Sequence, residues 1–194
     1  VTFGPIVRLW REARRSGTLP GSREMAEARV RTGWQHLRLT PGARLVTFDQ
    51  PGMTLDFGGI VKGYACDEAL RAMRALGVTS ALVEAGGDMA ASGPPPGAQG
   101  WRVVIQGLPG RTFRLANRAL STSGDAAQFV EIGGARFSHI VDPRTGLGVT
   151  HGRQVSVFAR EGLLADPLAT ALSVMDPASG RALARRFGAH VICR

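Results

Sequence analysis

The sequence predicts an α+β fold in which antiparallel sheet is covered by helices. Three observations carry this: helical periodicity near the start, short strand-like segments joined by hairpin signals in the middle, and helical periodicity again before one last strand. At 194 residues, 44% hydrophobic and 20% charged, the chain has enough apolar material for a core. A single domain over residues 1–194 is expected.

Residues 5–15, PIVRLWREARR, read as a helix, with Pro5 suited to the first turn and Ile6, Leu9, Trp10 and Ala13 on one face. Ser22 is the expected N-cap of a second helix through about Arg31. RLVTFD at 44–49 alternates as a strand. Ala65, Ala69, Leu70, Met73 and Leu76 then keep helical spacing from Gly63 to Leu76, and Gly77 is the stop. TSALVEAGGD is a strand ending in a double-glycine turn. SGPPPGAQG, 92–100, is a loop too short to mark a domain boundary.

Strands are expected at 101–106, 111–117, 119–124, 128–132, 136–142 and 153–159. Leu108-Pro109-Gly110 and Gly133-Gly134 are hairpin signals that favour antiparallel pairing. Helices at about 166–175 and 178–187 precede the closing strand HVIC. No internal repeat is visible.

The formal charge is +9, carried by 24 basic residues, of which 23 are arginine and only Lys62 is lysine. The arginines are scattered singly or in pairs such as Arg14-Arg15, without the basic block of a nucleic-acid binder, although a basic surface attracts anionic ligands. Cys66 and Cys193 sit in apolar surroundings far apart in sequence, so two buried thiols are expected rather than a disulfide. No run of about 18 apolar residues marks a membrane span, and no charged-then-apolar start marks a signal peptide. A chain opening on Val1 rather than Met is expected to be processed or cut from something longer.

Three segments hold the chemistry. In LDFGGIVKGYACDEA, Gly58, Gly59 and Gly63 surround Lys62 as in a phosphate-cradling turn, because glycine lets backbone approach an anion and the following helix offers free N–H groups. The lysine precedes Gly63 and no hydroxyl follows, so the P-loop order fails, and a plain strand, turn and helix is the alternative. Asp56 reads equally as a turn carboxylate, and Asp67 as an exposed or capping residue of the first helical turn. In LLADPLATALSVM, Asp166 is either an N-cap before Pro167 or, with Thr170 four residues on, one of two hard oxygen ligands suited to Mg²⁺. In STSGDAAQF and RFSHIVDPRTG, His139 is a strand histidine beside Ser138 and near Asp142, structural or suited to take a proton from a hydroxyl. No Gly-x-Ser-x-Gly elbow, zinc-type Cys/His spacing or dinucleotide-binding glycine fingerprint competes.

Taken in order, LDFGGIVKGYACD, VEAGGD, STSGD with FSHIVDPRTG, and ADPLATALSVM resemble the four signature segments of the ApbE family, the FAD:protein FMN transferases. The opening GPIVRLW and the approach to the strand at Trp34 are similar too, so the likeness runs from about residue 3 to 175. The resemblance implies a T-fold-like α+β architecture and transfer of FMN from FAD to a Ser or Thr hydroxyl of an acceptor protein, with release of AMP. It places Asp56, Lys62 and Ile140 at FAD. It places Mg²⁺ on Asp166, the Thr170 hydroxyl and the carbonyls of Gly59 and Ala169. His139 stands closest to acid/base duty, and Gly86 and Gly87 let backbone approach the cofactor.

Family members carry roughly a hundred residues ahead of the segment that begins here, with an anchor or signal region, so an N-terminally truncated protein of the extracytoplasmic side is expected. The partners implied are FAD and an acceptor protein, not nucleic acid. The same residues acting on water would make an FAD pyrophosphatase yielding AMP and FMN, and binding without turnover would make a flavin-binding module.

Overall fold

A computed structural model describes residues 1–124 and 128–194. The chain divides into two compact units, one of Val1–Gly58 with Asp125–Gly152, the other of Gly59–Gly124 with Arg153–Arg194. Asp125, at the end of STSGD, lies outside the described residues.

The first unit holds helices α1 (Gly4–Ser16) and α2 (Ser22–Val30) and the hairpins β1 (Leu37–Thr40) with β2 (Leu45–Phe48) and β8 (Phe129–Ile132) with β9 (Ala135–Ser138). The expected stripe of α1 is the buried one: Ile6, Trp10 and Ala13 pack with Ala28 and Phe137. Trp10 is fixed at its polar end as well, its Nε1–H donating to the Gly146 carbonyl at 2.8 Å. Ser22 is not the N-cap of α2. Gly21 holds that position and its N–H is met by the Glu24 carboxylate at 3.1 Å, so the cap comes from inside the helix. Strand β1 was not expected from the sequence, because its hairpin is exposed apart from the half-buried Leu37 and carries no buried face to impose alternation.

The second unit is built on an antiparallel sheet ordered β11 (His190–Cys193), β10 (Val155–Ala159), β7 (Arg118–Ser123), β4 (Asp88–Ala91), β3 (Leu82–Ala85). A separate hairpin pairs β5 (Trp101–Val104) with β6 (Thr112–Leu115). Helices α3 (Val61–Ala75), α4 (Gly162–Val174) and α5 (Pro177–Arg186) complete it. The period-two alternation of the strands sorts their side chains between two cores. Ala90, Ala119, Val155, Val157 and Ala159 meet Cys66, Ala165, Leu168, Ala169 and Leu172 of the helices. Ala91, Leu120 and Phe158 turn the other way, toward Val103, Ile105 and Leu115. Three alanines on the helix side of neighbouring strands leave room for α4 to lie close to the sheet.

The buried face of α3 runs through Gly63, Cys66 and Leu70, whereas Ala65, Met73 and Leu76, on the expected stripe, are exposed. Glycine hid that face from a hydrophobicity pattern. Of the two thiols only Cys66 is buried; Cys193, on the edge strand, is exposed, and both are free. No helix of the described residues is long and apolar enough to cross a membrane.

Candidate active site

The fold brings the Lys62 and Asp166 segments together in the second unit. Helix α4 begins at Gly162, four residues before the expected start, with Glu161 as its N-cap. Asp166 is therefore not an N-cap, and Pro167, the sixth helical residue, forgoes a bond to the Leu163 carbonyl rather than opening the helix. The early start has a non-local cause: both oxygens of Asp67 in α3 accept from the N-terminus of α4, Gly162 N–H at 2.8 Å and Leu163 N–H at 2.7 Å. Asp67 thus caps another helix rather than its own.

Helices α3 and α4 cross glycine on glycine. A β-carbon on Gly63 would lie 2.1 Å from the Gly162 carbonyl oxygen and 2.9 Å from Asp166 Cβ. This approach lets the Gly63 N–H donate to Asp166 Oδ2 at 3.1 Å. Asp166 is buried, which pushes its carboxyl above the ordinary 3.8; the Gly63 N–H opposes this and the charge of Asp88 adds to it. One turn on, Thr170 Oγ1 lies 3.2 Å from Ser123 Oγ on β7. Gly59 faces the same hydroxyl, for a β-carbon added there would sit 3.1 Å from Thr170 Oγ1. Ala169 is fully buried; in a helix its carbonyl accepts one N–H and keeps a second lone pair.

These residues fit the implied Mg²⁺ by the chemistry of their donors. One carboxylate, one hydroxyl and backbone carbonyls are hard oxygens, and a glycine keeps the space at Thr170 clear. Among the described residues no cluster of three or more His, Cys, Asp or Glu offers a competing metal site.

Lys62, in the first turn of α3, does not project as an isolated charge. Its Nζ lies 2.7 Å from Asp88 Oδ2 and donates to the Gly86 carbonyl at 3.4 Å. Asp88 was missed in the sequence, where it reads as the end of a turn. Gly86 and Gly87 both take positive φ, 56° and 91°, and with Ala85 paired to Asp88 they form a two-residue hairpin loop that makes Asp88 the first residue of β4. The available signal was an acid directly after a glycine pair at the start of a strand. Asp88 Oδ1 accepts from the Ser121 hydroxyl and from the Thr122 N–H at 3.3 Å. Cys66, whose Sγ–H reaches the Asp88 carbonyl at 3.6 Å, has its thiol pushed up to about 11 by burial and then by Asp88, so it stays protonated and unreactive at neutral pH.

The remaining predicted residues belong to the first unit. Asp56 does act as a turn carboxylate: Oδ1 accepts the Gly58 N–H at 2.9 Å and Oδ2 pairs with Arg11 at 2.5 Å. His139 lies just past the end of β9 instead of on a strand, because Val141 bends back to bridge Gly148. Its ring is exposed and Nδ1 lies 3.0 Å from the Gln128 carbonyl, so Nδ1 carries a proton and donates it there. Ile140 is buried, its N–H held by Ser138 Oγ at 3.1 Å.

The fold and this site define an α+β protein in which a buried acid and a hydroxyl are presented by a helix lying on a five-stranded antiparallel sheet. The sequence model of the ApbE family matches residues 1–193, and the chain belongs to that family. It is 33% identical over 202 residues to the FAD:protein FMN transferase of Klebsiella pneumoniae (strain 342), covering 98% of this chain and 58% of that protein. It is 35% identical over 161 residues to the protein of that name from Rhodobacter capsulatus, covering 80% of this chain and 31% of the other. Among solved structures, the apo form of Pseudomonas stutzeri flavinyl transferase ApbE superposes with a TM-score of 0.82 at 34% identity, over 98% of this chain and 61% of that one. The ApbE protein of Thermotoga maritima gives 0.87 at 30% identity, over 99% and 65%. The chain thus spans less than two thirds of the length of these relatives.

Proposed function

We propose that the chain carries the reacting centre of an Mg²⁺-dependent transferase that moves FMN from FAD to a Ser or Thr hydroxyl of an acceptor protein. The observation that carries this reading is the meeting of Gly59, Thr170 and Asp166 beside the Lys62–Asp88 pair, two segments about a hundred residues apart in sequence that supply metal ligands and a cation to one place. Asp166, the Thr170 hydroxyl and the carbonyls of Gly59 and Ala169 would hold the metal. Bound there, Mg²⁺ would neutralise pyrophosphate charge and make AMP a better leaving group.

The protein's own part is positioning and proton transfer. The acceptor oxygen bonds to the FMN-side phosphorus, the bond from that phosphorus to the bridging oxygen breaks, and AMP departs with that oxygen. His139 is the residue assigned to take the hydroxyl proton, help worth about 10² to 10⁴ in rate. Lys62 offsets phosphate charge, and Asp56 and Ile140 contribute to FAD binding. The reaction would take place on the extracytoplasmic side.

The test is incubation of the purified chain with FAD and Mg²⁺, with and without an acceptor protein bearing a flavinylation serine or threonine. Flavin fluorescence that stays on the denatured acceptor, with AMP released in equal amount, is expected. Free FMN without acceptor would replace transfer by hydrolysis, and flavin retention with no AMP would leave a binding module.

A further inference from the structure

We propose that Asp88 is a positioning residue, which holds the Lys62 ammonium where the pyrophosphate of a dinucleotide binds; this rests on the flavin reading above. The Asp88 side chain is 2% exposed and that of Lys62 39%, so a buried anion anchors a cation that still reaches solvent. The carboxylate is itself fixed through Oδ1 by the Ser121 hydroxyl and the Thr122 N–H. Oδ2 faces the Lys62 ammonium at 2.7 Å, an ion pair that compensates the burial of the carboxylate.

The geometry of the cation distinguishes a lysine here in a chain that otherwise uses arginine. An ammonium has three N–H donors; Asp88 and the Gly86 carbonyl engage two at most, leaving one for a phosphate oxygen. An arginine has more donors, but they lie in one rigid plane that a bond to Asp88 would orient, whereas the ammonium is a compact charge whose donors rotate about its stem. The turn lies against the lysine stem, for a β-carbon on Gly86 would sit in ordinary contact with Lys62 Cδ at 3.5 Å.

One lysine also makes the test direct, since lysine-selective ¹⁵N labelling gives a single Nζ signal. Without flavin, this signal is expected to be sharp in the unmutated protein and to shift or broaden in Asp88→Asn. Affinities for FAD and FMN, read by flavin fluorescence, are then compared for the unmutated protein, Asp88→Asn, Lys62→Met and the double variant. Asp88→Asn is expected to weaken FAD about tenfold and FMN less than about twofold, with no further loss once Lys62 is Met. An equal loss of FAD in the Lys62→Met background overturns the proposal. Should Asp88→Asn fail to fold, Ser121→Ala keeps both charges and loosens only the carboxylate; it is expected to weaken FAD by a smaller factor, and unchanged affinity overturns the role. Failure of the unmutated chain to bind FAD sinks the flavin reading instead. The lysine signal then decides alone whether Asp88 holds Lys62, an unchanged signal in Asp88→Asn counting against it.

Discussion

Gly63 and Gly162 touch backbone to backbone: a β-carbon on either would fall within 2.4 Å of the other residue's carbonyl oxygen. The contact joins α3, which carries Lys62, to α4, which carries Asp166 and Thr170, so the position of one half of the candidate site depends on two missing side chains.

Gly63→Ala is therefore expected to destabilise the protein by about 3 kcal/mol, since the overlap is with backbone that cannot rotate away. Gly42→Ala is the control, because nothing lies within 4 Å of a β-carbon there. Urea unfolding of both variants measures the difference; equal stabilities would mean that the helices separate at little cost.

Asp166→Asn keeps an acceptor for the Gly63 N–H while removing a buried charge, so the fold is expected to survive with an unchanged or higher Tm. Added Mg²⁺ should raise the Tm of the unmutated protein and leave that of the variant unmoved. AMP release should fall to background. A large drop in Tm with activity retained would return Asp166 to a purely structural role.

Asp142 gives the pH dependence a sign. Its carboxyl is held below the ordinary 3.8, chiefly by the Arg144 side chain, whose Nη2 reaches Oδ2 at 2.7 Å, so the folded state favours the charged form. That stability is present above 3.8 and is lost as pH falls through the lower folded value. Asp142→Asn keeps the turn acceptor for the Arg144 N–H and should be less stable than the unmutated protein at pH 7, by an amount that vanishes in acid. The exposed Arg144 guanidinium is screened by water and salt, so the difference should shrink in high salt. Thermal melts from pH 7 down to about pH 2.5 check both; a difference independent of pH would assign the effect to turn geometry.

What the sequence determined is whatever a few neighbouring residues decide together. The apolar stripe of α1, the paired positive-φ glycines 133 and 134 between β8 and β9, and the order of four motifs were all legible, because local φ/ψ preference and side-chain periodicity act within one turn or hairpin. The candidate metal ligands Asp166 and Thr170 were legible for the same reason, four residues apart on one helix. What only the tertiary structure decided lies between distant segments. Asp67 starts α4 early from 95 residues away, and sheet register sets Asp88 beside Ser121 while α3 brings Lys62 onto it. Such contacts follow from how strands pair and how closely helices cross. A local pattern cannot specify them: it placed Gly63 in a glycine-rich turn and Asp88 at the end of another, where the fold builds its most constrained contacts.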